Sequence, residues 1–233
     1  MEDAYLSTIA SLKIAATHFK SKANLIFKHP TFFENEDFKN YILTNKIDGV
    51  LLLPGNTDFN KSFIIKSKLA NILKDLKIPT LAYDDAMLNV LFMQAVSKKL
   101  LSFDTNPFKP FETKINESLI KVDLLKPKVG SHLVVPISKK SLIADIYKNS
   151  PQINPRYYSK NWLNPLFNSL LEDDNFILSS YDSKQKIAQS LEIKNHPFYL
   201  SVAYHPEFDT RVLTSNPLFD KFIQTCLKIK TTI

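Results

Sequence analysis

The chain contains a single cysteine, Cys226, and this scarcity excludes a framework of intramolecular disulfides. We therefore expect the protein to work in the reducing cytoplasm. Glycine is nearly as rare, with 3 residues in 233, so glycine-rich loops that bind phosphate groups are not expected. No apolar run approaches the roughly 18 residues of a membrane span, and the amino terminus lacks the basic and then apolar pattern of a signal peptide. These features predict a soluble protein without membrane contacts.

The composition favours one folded domain. Apolar residues make up 44% of the chain, which is enough for a substantial core, and we expect residues 1–233 to form a single domain. The formal net charge is +7, but the basic residues are dispersed among 23 acidic ones. No arginine-rich stripe or aromatic RNA-binding motif accompanies them. The charge therefore predicts solvated faces and no nucleic-acid partner.

Short apolar runs alternate with helical patterns in the first half of the chain. Residues 23–27, 47–53 and 78–83 are strand candidates, and residues 47–53 read IDGVLLL, a continuous run typical of a parallel strand buried on both faces. Residues 61–77 place apolar side chains at helical spacing. This alternation predicts an α/β fold with three layers, in which a mainly parallel sheet is flanked by helices.

The second half is less regular. Residues 102–129 are rich in proline and lysine, which predicts a long excursion between elements. Strands are predicted at residues 133–137 and 176–180, with a helix between them near residues 141–147. At the amino terminus, the apolar spacing predicts an amphipathic helix over residues 3–20.

Residues 198–222, FYLSVAYHPEFDTRVLTSNPLFDKF, combine a strand, a turn and a helix start. Apolar residues alternate up to the tripeptide His205-Pro206-Glu207, where proline cannot donate to a strand ladder and ends the strand. A helix is predicted from Pro217 onward. The strand end would direct the histidine into a pocket, and the carboxylate two residues later would orient the ring and favour its imidazolium form.

This block, with NHPF at residues 195–198 and NPLF at residues 216–219, resembles the carboxyl end of the glutaminase domain of the CTP synthase family. That domain is a class I glutamine amidotransferase with a flavodoxin-like fold. The resemblance implies that His205 and Glu207 correspond to two members of a Cys-His-Glu catalytic triad. It covers nearly the whole chain and is strongest over residues 195–227.

Residues 78–88, IPTLAYDDAML, resemble the family segment in which the nucleophilic cysteine sits on a sharp turn from strand to helix. Asp84 occupies the position of that cysteine. An ionised carboxylate is a poor nucleophile toward an amide, so the resemblance implies that glutamine hydrolysis is lost. Cys226 lies on the apolar stripe of the last predicted helix, and we expect it to be a core residue rather than a replacement nucleophile.

The resemblance implies roles for four further residues. It assigns Gly55 and Asp85 to the oxyanion hole, and Arg156 and Tyr157 to glutamine binding. Two plainer interpretations stay open: a solvated loop arginine at 156, and at 205 a strand-end histidine satisfied by a neighbouring carboxylate. The family also has a core strand before its first helix, with no counterpart here, so we expect an edge or gap in the sheet.

Three hypotheses about function remain. We favour a glutaminase-like domain that has lost hydrolysis and serves binding or regulation, with no cofactor and no resident metal, and with a small-molecule ligand in the remnant glutamine pocket. The second is an active enzyme in which Asp84 attacks a better electrophile, or in which a divalent cation is held by carboxylates and histidine at the strand ends, namely Asp58, Asp84, Asp85, His205 and Glu207. The third is a non-catalytic subunit that associates with a synthetase or forms a homodimer.

Overall fold

A six-stranded sheet organises the computed structural model, which describes residues 5–55, 58–112, 115–123, 127–136, 140–184 and 186–230. The helices are α1 (Leu6–His18), α2 (Phe38–Thr44), α3 (Lys61–Leu76), α4 (Asp85–Ser97), α5 (Leu142–Ile146), α6 (Asn168–Leu171) and α7 (Pro217–Lys230). The strands are β1 (Val50–Leu52), β2 (Thr80–Tyr83), β3 (Ile120–Val122), β4 (Lys128–Ser131), β5 (Val134–Pro136), β6 (Arg156–Ser159), β7 (Asn161–Leu163), β8 (Phe176–Asp182), β9 (Ala188–Ile193) and β10 (Tyr199–Val202). Short 3-10 helices occupy Pro30–Glu34, Pro165–Phe167 and Pro206–Asp209.

The large sheet has the strand order β1-β2-β10-β9-β8-β5. β1, β2 and β10 run parallel to one another, whereas β9, β8 and β5 form antiparallel pairs. The α/β architecture is confirmed, but the sheet is mixed rather than mainly parallel. The reason is the length of the connections: residues 183–187 and 194–198 are too few for a parallel crossover, which needs about a dozen residues or more.

Alternating residues of the central strands feed two hydrophobic clusters, one on each face of the sheet. Leu81 and Tyr83 of β2 join the cluster covered by α1, α5 and α7, while Ala82 joins the cluster covered by α2, α3, α4 and α6. This period-two pattern gives the three layers that the sequence predicts. Cys226 of α7 is buried in the first of these clusters, and a Cβ at Gly49 would overlap its sulfur atom. The prediction of a core cysteine is confirmed.

The predicted strand at residues 23–27 is wrong. The burial of these residues alternates, with Ala23 and Leu25 packed toward the core, but they join no ladder among the described residues. A strand requires a hydrogen-bonding neighbour, and β1, the edge strand of the sheet, is paired only with β2 in the described part of the chain. β1 is also half-buried at Val50 and Leu51 rather than buried on both faces.

The other elements agree with the predictions in type and differ in length. The helix at residues 61–77 is α3, the amino-terminal helix is α1, and the excursion at residues 102–129 is largely irregular, with β3 at its end. A search of the described residues finds no helix with the length and apolarity needed to cross a membrane.

Candidate active site

The site forms where two parallel strands end side by side. β2 and β10 are neighbours in register, with Tyr83 opposite Val202, so their carboxyl ends meet at one edge of the sheet. Asp84 follows β2 directly, and His205 follows β10 after a two-residue bend. The parallel pairing therefore brings together two side chains that are 121 positions apart in the sequence.

Asp84 sits on a sharp turn between β2 and α4. Its backbone has φ 51° and ψ −128°, a conformation that residues with a Cβ seldom adopt. The turn is held at both ends, because Asp84 N donates to Val202 O at 2.8 Å and Met87 N donates to Asp84 O at 2.9 Å. The side chain is buried and makes no capping hydrogen bond to α4 within the described part of the chain. It is directed to His205 instead.

Two carboxylates flank the His205 ring. Nδ1 donates to Glu207 Oε1 at 2.8 Å, and Nε2 lies 3.3 Å from Asp84 Oδ2, an ion-pair distance with poorer hydrogen-bond direction. Carboxylates only accept hydrogen bonds, so a ring with both nitrogens facing them is best satisfied as the doubly protonated imidazolium. Burial alone lowers the pKa of His205, but the hydrogen bonds and negative charges of Asp84 and Glu207 outweigh it and raise the pKa to about 10.

Aromatic rings and a backbone bond fix the orientation of this histidine. Phe208 stacks on the imidazole at 4.5 Å with the ring planes 15° apart, and Tyr83 meets it edge-on at 5.9 Å. The backbone N–H of His205 donates to Arg156 O at 2.9 Å. A ring stacked on one face, hydrogen-bonded at Nδ1 and held through its backbone has little freedom to move away from Asp84.

A buried carboxyl group and a buried lysine lie close enough to the first pair for their charges to interact. Asp85 is buried and accepts a hydrogen bond from Asn161 Nδ2 at 3.0 Å. Burial, followed by the charge of Asp84, raises the pKa of Asp85 to about 6. Lys66 is also buried and donates to Leu53 O at 2.8 Å, and burial lowers the pKa of Lys66 to about 8. The sequence does not indicate Lys66 or Asn161 as site residues, because nothing in the local pattern around either one marks its side chain as buried.

At this site, Asp84 Oδ1, Glu207 Oε2 and His205 Nε2 are buried and have no hydrogen-bond partner among the described residues. The same residues contain no group of three or more His, Cys, Asp or Glu side chains arranged to hold a metal ion. The geometry gives the reason, because Asp84 and Glu207 face opposite nitrogens of the ring and so do not converge on one point. Asp58, the fifth residue of the metal hypothesis, is exposed.

A cavity of about 260 Å³ opens beside His205 and Glu207. Its other walls come from the start of α1, from Pro54 and from Phe208. Tyr5 donates from its hydroxyl to Pro54 O at 2.7 Å and covers Gly55, whose φ of 114° is a left-handed conformation. Gly55 thus lies next to the cavity wall, while its role in an oxyanion hole remains a prediction. Asp85 occupies the first position of α4, where backbone N–H groups lack helical partners, and its role also remains a prediction.

Arg156 and Tyr157 lie on β6, behind the turn that holds His205. Arg156 binds His205 through its carbonyl, while its half-exposed guanidinium lies 3.7 Å from Asp209 Oδ1. Tyr157 is buried, donates to Gln189 Oε1 at 2.6 Å and contacts Tyr204 edge to face. Neither side chain lines the 260 Å³ cavity. Their assignment to glutamine binding remains a prediction.

Comparison with known proteins identifies relatives over almost the whole chain. No family model matches the sequence. The chain is 28% identical to the CTP synthase of Mycoplasmopsis pulmonis over 237 residues and 30% identical to that of Phytoplasma australiense over 237 residues, in both cases over 97% of its length. It spans 42% and 41% of those relatives, about two-fifths of their length.

The fold comparison agrees with the sequence comparison. The glutaminase domain of Trypanosoma brucei CTP synthase with bound acivicin superposes with a TM-score of 0.81 at 17% identity, covering 97% of this chain and 89% of that one. Together with the strand-end histidine and glutamate, this fold is that of a class I glutamine amidotransferase. The chain is related to CTP synthases over 97% of its length and has the fold of their glutaminase domain.

Proposed function

We propose that this domain does not hydrolyse glutamine and that its former catalytic pocket serves binding or regulation. The observation that carries the proposal is the identity and setting of Asp84. A carboxylate, rather than a thiol, stands on the turn between β2 and α4 and faces the histidine of the strand-end His–Glu pair.

The chemistry of this arrangement opposes glutamine hydrolysis. Attack by Asp84 on the amide carbon would give a tetrahedral adduct that must break its C–N bond and release ammonia to leave an acyl anhydride. The carboxylate is a far better leaving group than ammonia, so the adduct returns to Asp84 and the intact amide more readily than a thiolate adduct does. Base catalysis by His205 is also opposed, because a pKa of about 10 keeps the ring protonated at neutral pH. Neither the nucleophile nor the base of the reaction is therefore supplied in a usable form.

Ammonia release from glutamine tests the proposal. We expect the wild-type protein to release no more ammonia than an Asp84→Ala variant. Release by the wild type that Asp84→Ala abolishes would end the proposal. Asp84→Cys is the matched variant, since it returns a thiol to a position within ion-pair reach of the His205 imidazolium. We expect this variant to release ammonia above the wild-type background.

An active enzyme using Asp84 or a bound metal has less support. The carboxylates lie on opposite sides of the imidazole, and the described residues contain no metal-binding cluster. Elemental analysis of the purified protein tests this hypothesis directly. Metal bound in stoichiometric amount, and lost on Asp84→Asn, would favour it over a pseudoenzyme.

A role as the non-catalytic subunit of a synthetase is the second candidate that an observation favours. The chain matches CTP synthases over 97% of its own length but only 42% and 41% of theirs. In those relatives the matching region is part of a longer CTP synthase, so association with a synthetase is the role to test. Co-purification of the chain with CTP synthase of the same cell, followed by light scattering of the complex, tests this association.

The 260 Å³ cavity is the place where a ligand of the remnant pocket would bind. Glutamine itself is the first probe, because the cavity adjoins the His–Glu pair. A shift of the thermal unfolding midpoint with glutamine, absent in a Phe208→Ala variant, would support a retained binding function.

A further inference from the structure

His18, the last residue of α1, contacts two other parts of the chain through its ring. Nδ1 lies 2.9 Å from Asp220 Oδ1 on α7, and Nε2 lies 3.2 Å from the carbonyl oxygen of Leu213. A carboxylate and a carbonyl only accept hydrogen bonds, whereas a neutral imidazole has a single N–H to donate. Both contacts are therefore hydrogen bonds only when the ring is protonated at both nitrogens.

Leu213 belongs to a tight turn formed by residues 211–214, which we call the exposed turn. Two backbone hydrogen bonds close it, from Arg211 N to Thr214 O at 2.8 Å and from Thr214 N to Arg211 O at 3.1 Å. Leu213 has φ 68°, a left-handed conformation that residues with a Cβ avoid. The Val212 and Leu213 side chains are 88% and 83% exposed, so their packing does little to hold this conformation. The imidazole contact is made at the strained residue itself.

Other contacts fix the chain on either side of the exposed turn. Thr210 Oγ1 accepts a hydrogen bond from Ser11 Oγ at 2.7 Å. Asn216 caps α7, because its Oδ1 accepts from Leu218 N at 3.0 Å. The candidate active site precedes Thr210 in the chain, and α7 follows Asn216. The exposed turn can therefore open while both of these neighbours stay in place.

Asp220 and the Leu213 carbonyl favour the protonated form of His18. The hydrogen bond to Asp220 is the largest cause that raises the pKa of His18 above its usual value, the bond to Leu213 is the second, and burial acts in the opposite direction. A raised folded-state pKa means that the stabilisation is complete below the unfolded value of about 6.5. It is lost as the pH rises through the folded-state value.

The other charged groups on the elements beside the ring are engaged elsewhere. Lys221 follows Asp220 on α7 and donates to Asp145 at 2.9 Å. Arg211 is the charged residue of the exposed turn, and its charge favours the ionised form of Asp209. Asp220 is therefore the acid that mainly determines the pKa of the ring.

We propose that His18 is a pH-sensitive clasp that holds the exposed turn when its ring is charged and releases it when the ring is neutral. The ring loses its proton from Nε2 to water, and the remaining N–H at Nδ1 keeps its hydrogen bond to Asp220. Nε2 then presents a lone pair to the Leu213 carbonyl oxygen, so the contact becomes repulsive. The left-handed conformation of Leu213 loses its support, and the turn opens.

Exchange of the Arg211 and Thr214 amide hydrogens with water tests the proposal, because these two N–H groups close the turn. After correction for the intrinsic pH dependence of exchange, we expect the protection of both amides in the wild type to fall about fivefold or more between pH 6 and pH 8.5. Thr80 N is the internal reference, since it donates to Phe198 O at 2.8 Å within the sheet, and its protection should not change.

Three variants separate the clasp from other effects of pH. His18→Gln cannot titrate, so the protection of both amides should be equal at the two pH values. Asp220→Asn removes the charge that favours the imidazolium, and the fall should then occur at lower pH than in the wild type. His29→Gln is the control, because His29 bonds Thr31 in its own loop, and it should behave like the wild type. Equal protection at both pH values in the wild type, an undiminished fall in His18→Gln, or a parallel fall at Thr80 would overturn the proposal.

Discussion

A His-Pro dipeptide lies on each side of strand β10, and the two histidines differ in charge. His196, before the strand, accepts from Phe198 N through Nδ1 at 3.2 Å and has Nε2 3.4 Å from Leu73 O. One ring nitrogen therefore meets a donor and the other an acceptor, which suits the neutral ring. Burial lowers the pKa of His196 to about 4. His205, after the strand, meets two carboxylates and its pKa is raised to about 10.

The contrast shows that the neighbours supplied by the fold, and not the dipeptide, decide the charge. The amino end of β10 faces the Leu73 carbonyl near the end of α3, and the positive charge of Lys77 lowers the pKa of His196 further. The carboxyl end lies beside the carboxyl end of β2, where Asp84 is placed by the parallel pairing. His205 is buried and His196 is half-buried, so desolvation lowers the pKa of both, and only the carboxylates reverse this at His205.

The largest difference in unfolding free energy between the two ends is expected when each histidine is replaced by alanine. His205→Ala leaves the carboxylates of Asp84 and Glu207 buried without their cation, and we expect a loss of about 3–5 kcal/mol in the free energy of unfolding at pH 7. His196→Ala leaves the Phe198 N–H without its acceptor and the Leu73 carbonyl without the ring N–H, but strands no charge, and should cost about 1–3 kcal/mol. Urea denaturation measures both. Equal losses at the two positions would contradict the assignment of charge.

A smaller effect is expected when one carboxylate is neutralised with its shape retained. Asp84→Asn weakens the attraction to the imidazolium, and we expect a loss of about 1.5–3 kcal/mol in unfolding free energy. The pKa of His205 should fall in the same variant, because Asp84 contributes to its rise. Asp75→Asn on the exposed face of α3 is the control, with an expected change within about 0.5 kcal/mol. An unchanged free energy of unfolding in Asp84→Asn would show that the ion pair does not stabilise the fold.

The pH dependence of stability gives a third and smaller difference. The folded-state pKa of His205 lies above its unfolded value of about 6.5, so its contribution is complete below pH 6.5 and is lost as the pH rises through about 10. Between pH 6.5 and 8 the wild type should lose about 1.5 kcal/mol relative to a His205→Gln variant. Lys66 and Lys128, whose pKa values are lowered to about 8, act in the opposite direction above pH 8 in both proteins. A difference between the two proteins that does not change with pH would contradict the raised pKa.

The sequence predicts the residues of this site better than their environment. The apolar runs and the family motifs indicate β2, β10, α3 and α7, and they indicate that Asp84, His205 and Glu207 lie at strand ends. They do not reveal Lys66, because its burial depends on the carbonyl of Leu53 beyond the end of another strand. Nor do they reveal that residues 23–27 lack a ladder, because local alternation specifies a strand's faces and not its neighbour.

Several strands of the second half were also beyond prediction. β9 contains Gln189, Ser190 and Glu192 on a wholly buried strand, and the local pattern reads as polar. Ser190 is satisfied by Ser180 Oγ at 2.6 Å, a partner on the neighbouring strand β8. Polar residues of this kind are buried because other strands complete their hydrogen bonds, and those partners are known only from the fold.

The protonation state of His205 is the most direct test of the whole account. Nitrogen-15 NMR of the two ring nitrogens, with His196 as the internal reference, reports it at pH 8. We predict two protonated nitrogens at His205 and a neutral ring at His196. A neutral His205 ring at that pH would contradict the account, since it would leave Asp84 or Glu207 without its donor and would make a base available for catalysis.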